Sequence, residues 1–349
     1  MASTKNSFFE ERKITCLERL NNILTELPPF CEEFFIGIEN VTSPLTRLNY
    51  ANDLRIFFDF AIKKGIIDSP VLKIQLSDLE KISASDIERF LSYLGNYVHE
   101  GKRLNCNERA KQRKLASVRA LYKYFFNKDK IVANTAAKVS SPKAHDKEII
   151  RLEINEVVAL INQVENADGL TGRQKSYQEN TKIRDIAIIT LFLGTGIRIS
   201  ELVGLNVDDL FFDSNSFVVT RKGGNRTILY FTEEVKTALE NWLAHRSKIK
   251  NLDKDEKAVF LSLRNSRISV RAVQILVEKY AKIVTPLKKI TPHKLRSTFG
   301  TNLYQETGDI YVVADFLGHR DINTTKKHYA AMSEDIRRAA IKKVKLRDD

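Results

Sequence analysis

The chain has 349 residues with 57 Lys+Arg against 44 Asp+Glu, a formal net charge of +13. Its length suits roughly two domains, and 43% hydrophobic residues can fill real cores, so wholesale disorder is excluded. With only 14 Gly and 7 Pro the chain is neither collagen-like nor of low complexity.

No run of 18 uncharged apolar residues occurs, so no membrane span and no membrane partner is expected. The opening MASTKNSFFEERK has no apolar core, which predicts the absence of a secretory signal. Cys16, Cys31 and Cys106 are odd in number and lack CxxC spacing, so a cytoplasmic, reducing location is expected. The excess of positive charge points to a polyanion such as nucleic acid, or to an ordinary basic enzyme.

In chain order, Phe9, Ile14, Leu17, Leu20, Leu24 and Leu27 lie near helical spacing and predict a helix over 5–27, stopped by Pro28-Pro29. The next helix has readable ends. Ser43 caps it, Pro44 fits the first turn and Gly65 fits the position past its end, with Leu45, Leu48, Leu54, Phe57 and Phe60 inward. A third helix is predicted over 85–98, with Ile87, Leu91, Leu94 and Val98 inward. A fourth covers 107–126, with Leu115, Val118, Leu121, Tyr122 and Phe125 inward. Its opposite face carries Arg109, Lys111, Arg113 and Lys114, candidate contacts for nucleic-acid phosphates. Residues 1–135 therefore read as all-α.

Residues 134–147, NTAAKVSSPKAHDK, have no apolar period and read as a linker. Lys138, Lys143 and Lys147 make it either a strap across a phosphate backbone or a plain solvated connection. Beyond it, a helix is predicted over 153–164, a polar surface loop over 166–180 and a buried helix over 182–193. Residues 216–231 alternate in β fashion around a Gly223-Gly224-Asn225 turn, the signature of a hairpin. Helices follow over 233–247, 269–284, 292–306, 309–317 and 333–345, and no internal repeat is visible.

Four segments of this second half hold polar residues that local pattern does not require. In TGIRISEL a buried helix breaks at Gly-Thr-Gly, and Arg198 and Glu201 share one face of the helix that follows, able to pair. Lys222 sits at the hairpin turn. In TPHKLR, Thr291 can cap, Pro292 suits the first helical position, and His293 and Arg296 lie one turn apart. Such a helix start is a ready phosphate site. Last comes LGH, containing His319, followed ten residues on by Tyr329. No H-E-x-x-H or matching ligand set accompanies the histidines, so no metal is expected.

This order of motifs resembles the tyrosine recombinase (lambda-integrase) family over about 183–330, most of all its Xer subgroup in RISELVGLNVDDL and LGHRDINTT. The resemblance implies a mainly α fold. Residues 1–40 would be an N-terminal helical extension, 41–135 a helical, SAM-like core-binding domain and 136–147 a linker. Residues 148–349 would be a mixed α/β catalytic domain with a small antiparallel sheet and a C-terminal oligomerisation helix. It further implies that Arg198 and Arg296 clamp the scissile phosphate, His293 and His319 bond its oxygens, Lys222 protonates the leaving 5′ oxygen and Tyr329 is the nucleophile. Glu201 would be the supporting acid.

Also implied are a two-domain clamp on duplex DNA at a specific site, a tetrameric synapse and a Holliday junction, with no cofactor. The C-terminal helix would dock on the next subunit or fold back on its own domain. A second recombinase or an accessory protein is left open as a partner, as is the choice between chromosome dimer resolution and a mobile element. A type IB topoisomerase and a non-catalytic DNA-binding protein remain as alternatives.

Overall fold

The computed structural model describes residues 8–144, 150–166, 168, 171–221, 224–254 and 256–318. The chain divides into two compact units, Met1–Lys147 and Glu148–Asp349.

In the first unit, helix α1 (Phe8–Leu24) and α2 (Phe30–Gly37) precede α3 (Pro44–Lys63), α4 (Asp78–Lys81) and α5 (Ala84–Tyr93). A hairpin of β1 (Tyr97–His99) and β2 (Lys102–Leu104) then leads into α6 (Glu108–Phe126). The ends of α3 follow from its sequence. Ser43 Oγ accepts from the Thr46 N–H at 3.2 Å, and Gly65 takes the left-handed conformation (φ +64°) just past the last turn. Phe34, Phe57, Phe58, Phe60, Phe90, Tyr122 and Phe125 are fully buried and form an aromatic core.

Three expectations change here. Leu20, Leu27, Cys31, Phe34 and Phe35 belong to the same core as α3 and α6, so α1 and α2 of the expected N-terminal extension pack into this unit. The helix predicted to reach Val98 stops at Tyr93. Glu100 (φ +49°) and Gly101 (φ +72°) instead form the two-residue turn of the β1–β2 hairpin, which leaves Val98 exposed and makes the unit not wholly α. Leu45 is exposed as well, because α3 first enters the core at Leu48.

The linker prediction also narrows. Ala136 and Val139 are buried, Arg119 donates to the carbonyls of Ala136 and Val139 and to Ser141 Oγ, and Gln112 Nε2 donates to Pro142 O at 2.6 Å. The polar stretch reads as solvated because its own side chains are small. The residues that hold it lie on α6.

In the second unit, α7 (Ile154–Asn166) and the long α8 (Gly172–Thr195) precede α9 (Ile199–Gly204). Strands β3 (Leu210–Phe211), β4 (Ser216–Thr220) and β5 (Arg226–Tyr230) form an antiparallel sheet in that order, with Ser216 opposite Tyr230 and Thr220 opposite Arg226. Then come α10 (Glu233–Arg246), α11 (Val270–Val284), α12 (Pro292–Thr307) and α13 (Ile310–Leu317). Helix α8 packs against α7, α10 and α12. Its apolar second half, with Ala187, Ile188, Leu191 and Phe192 buried, occupies the middle of the unit.

The loop predicted over 166–180 is corrected by α8, which already begins at Gly172. That stretch is polar on every side and shows no period, yet Gln, Lys and Glu are good helix formers and the apolar half carries the helix on. The hairpin and the helices from α10 to α13 fall where the pattern predicts them. The predicted helix 333–345 lies outside the described residues.

Candidate active site

The site begins where α8 ends. Thr195 Oγ1 donates to Leu191 O at 2.6 Å, and Gly196 then takes φ +62°. A Cβ at 196 would collide with the Phe299 ring and lie 3.0 Å from Leu317, so this turn runs hard against α12 and α13.

Two residues later Arg198 is extended and starts α9. Glu201, only 3% exposed, holds it at both ends. Its Oε2 accepts from the Arg198 backbone N–H at 2.9 Å, and its Oε1 accepts from Nη1 at 2.7 Å. A buried carboxylate needs such a partner, because an unpaired charge away from water is costly. Arg198 Nη2 donates onward to Leu317 O and Gly318 O, both at 3.0 Å.

Arg296 approaches from α12. Pro292 is the first helical residue, and Thr291 has the extended backbone of a cap but makes no side-chain capping bond, contrary to the sequence-based expectation. His293 is exposed in the first turn. Arg296, one turn later, is buried and donates to Gly196 O and Leu317 O.

Both arginines therefore meet at the C-terminal end of α13. Asp309 Oδ1 caps the other end of that helix, accepting from the Tyr311 N–H at 2.7 Å. At the near end Gly318 is left-handed (φ +58°). The last carbonyls of a helix lack intrahelical donors and carry the negative pole of its dipole. Here guanidinium groups satisfy them and are fixed by them. Arg221 is a third, donating through Nη2 to Phe316 O at 3.2 Å. Sequence reasoning passed over it. Its one signal was a second basic residue beside Lys222 at a glycine-rich turn.

Arg198, Glu201 and Arg296 are thus brought together, with His293 on the first turn of the helix that carries Arg296. Lys222, His319 and Tyr329 lie outside the described residues. Among the described residues no group of three or more His, Cys, Asp or Glu could hold a metal ion, and no helix is long and apolar enough to cross a membrane.

The basic residues of the first unit separate into two kinds. Arg109 and Lys143 are exposed, and Lys111 Nζ donates to Glu108 Oε1 at 3.1 Å. Lys114 departs from the expected exposed face. It is buried and donates to Asp53 Oδ1 at 2.8 Å. Asp53 is fully buried on α3, and its Oδ2 accepts from Ser117 Oγ at 2.8 Å and from Arg113 Nη1 at 2.6 Å. The carboxylate draws Lys114 inward, whereas Arg113 reaches it from a side chain still 46% exposed.

Comparison with known proteins places these features. The model of the phage integrase family matches residues 151–335, which include every candidate catalytic position. The tyrosine recombinase XerC of Caldanaerobacter subterraneus subsp. tengcongensis is 35% identical over 328 residues, 90% of this chain and 86% of that protein. The chain belongs to the phage integrase family. It is a tyrosine recombinase of the Xer kind, a DNA strand-exchange enzyme, and the topoisomerase alternative is not favoured.

The tyrosine recombinase XerS of Streptococcus uberis is 29% identical across 94% of this chain and 99% of its own length. The crystal structure of the XerH site-specific recombinase bound to palindromic difH substrate, a post-cleavage complex, shares the fold. Its TM-score is 0.68 with 18% identity, covering 97% of this chain and 90% of that one. The mainly helical recombinase fold with small antiparallel sheets is the one read from the sequence.

Proposed function

We propose that this recombinase cuts and rejoins duplex DNA at a specific site with Tyr329 as its nucleophile. The phenol oxygen bonds to phosphorus and the bond from phosphorus to the 5′ oxygen breaks, leaving a 3′-phosphotyrosine and a 5′ hydroxyl. The phenol proton passes to a histidine base, and Lys222 gives a proton to the departing 5′ oxygen. Arg198 and Arg296 hold the scissile phosphate, and His293 and His319 bond its oxygens. Attack by a 5′ hydroxyl from the other duplex reverses the step and regenerates the phenol.

One observation carries this reading: Arg198 and Arg296 both bond to Leu317 O, one turn-end ahead of His319 in the chain. Two guanidiniums anchored by carbonyls and by Glu201 need no reorganisation as charge grows on the phosphoryl oxygens. Fixed donors of that kind are worth about 3–4 kcal/mol each when removed. A phenol of pKa about 10 is hardly ionised at neutral pH, and neighbouring cations favour its anion.

The wider assembly follows from the same reading. Both units bind the duplex, with Arg109, Lys111, Arg113 and Lys143 on phosphates. Four protomers synapse two sites in the cytoplasm and exchange strands through a Holliday junction, and residues 333–345 dock on the neighbouring protomer.

The test uses a nicked suicide duplex carrying the site the protein selects from genomic fragments. In EDTA the unaltered chain should accumulate a covalent adduct and Tyr329→Phe should give none. Adduct that survives the substitution rejects Tyr329 as nucleophile.

A further inference from the structure

The site contains a cation that the recombination scheme leaves unused. Arg221 closes the base of the β4–β5 turn: its N–H donates to Asn225 O at 2.8 Å, and its carbonyl accepts from the Gly224 N–H at 3.0 Å. The side chain then leaves the hairpin to reach Phe316 O on α13. Its guanidinium occupies the space over Gly318, where a Cβ would collide with it. Gly318 thus answers two demands, a left-handed backbone and room for Arg221.

The contact is not needed to hold the hairpin together. Strands β4 and β5 already pair at five register positions from Ser216–Tyr230 to Thr220–Arg226. It also opposes simple packing preferences. Burial lowers the pKa of the Arg221 guanidinium, while among the nearby charges Glu201 and Asp315 raise it and Arg198 lowers it. The buried Nε has no hydrogen-bond partner among the described residues. An arginine held there against desolvation, with a buried Nε unpaired among the described residues, fits a demand of placement better than one of stability.

We propose that Arg221 is a positioning residue for strand cleavage: it ties the base of the β4–β5 turn to the C-terminal end of α13, beside Arg198 and Arg296. This rests on the function proposed above, in which the next residue in the chain, Lys222, gives its proton to the 5′ oxygen as the bond to phosphorus breaks. Arg221 fixes where the chain leaves β4 toward that lysine, with reference to the helix end that also holds the two phosphate-binding arginines.

The test compares the full chain on two suicide duplexes of the selected site, one with the ordinary 5′ oxygen at the scissile bond and one with sulfur there. A thiolate leaves without being protonated, so the sulfur duplex bypasses the lysine but still needs the phosphate-binding groups. Arg221→Ala should slow cleavage of the oxygen duplex on the order of 10²-fold, the scale of a small misplacement of a catalytic group. On the sulfur duplex it should stay within about twofold of the unaltered chain, because no proton donor is required. Lys222→Ala should give the same split, whereas Arg296→Ala should be slow on both duplexes.

Thermal melting checks that the fold is retained. Should Arg221→Ala fail to fold, Arg221→Lys must show the same split to a smaller degree. Equal rates for variant and unaltered chain on the oxygen duplex overturn the proposal. Slow cleavage of both duplexes also overturns it and makes Arg221 a phosphate contact. No adduct from the unaltered chain on either duplex rejects the recombination reading itself, and this inference with it.

Discussion

Asp53 shows what one buried charge imposes on its surroundings. It takes hydrogen bonds from Arg113, Lys114 and Ser117, and neither Asp53 nor Lys114 has appreciable contact with water. Removing the carboxylate strands a buried ammonium, and breaking a buried pair from one side costs about 3–5 kcal/mol. Asp53→Ala should lose stability on that scale in denaturant unfolding. Lys114→Met should lose less, since Arg113 and Ser117 still satisfy the carboxylate. Equal losses would contradict the assignment of Lys114 as the dependent partner. At this scale the sequence was legible for residues whose role is local. Ser43, Pro44 and Gly65 mark helix ends through backbone chemistry that no tertiary contact alters. Lys114 was not legible, because its partner stands sixty-one positions away on another helix. Arg221 was hidden for the same reason, its carbonyl partner being on α13.

The elements divide along similar lines. Helices with an apolar stripe and a capping signal, such as α3, α6 and α11, appear where periodicity puts them. Those that fail lack a period of their own. The first half of α8 is polar throughout and is helical by continuity with its buried half. The β1–β2 hairpin is three residues a side, too short for alternation to register, although Gly101 marks its turn. Helix α6 carries a prediction of its own. Phosphate contacts release counterions, so each one lost reduces the salt slope of binding by about one. Lys111→Ala and Arg113→Ala should weaken binding at all DNA sequences and flatten that slope. Lys114→Ala should leave the slope unchanged while lowering stability. A flatter slope for Lys114→Ala in salt titrations would return it to the DNA-facing set.

For the whole molecule, a charge of +13 foretells a polyanionic partner but not the chemistry done on it. The recombinase family was legible in the order of four separated motifs, and the fold shows how two of them, those of Arg198 and Arg296, come together. The ends of α8, α12 and α13 converge, so Gly196, Arg198, Arg296 and Leu317 touch despite their distance in sequence. What the motifs omit is the scaffold of that meeting point, a helix end whose orphan carbonyls take guanidinium donors.

On the proposed function, this scaffold serves a covalent capture of DNA by one phenol. Digestion of the trapped adduct with trypsin and nuclease, followed by mass spectrometry, tests it most directly. A 3′-linked nucleotide should be found on the tryptic peptide 328–337, fragmenting to Tyr329. A 5′-linked nucleotide, or a linkage on any residue other than Tyr329, would contradict it.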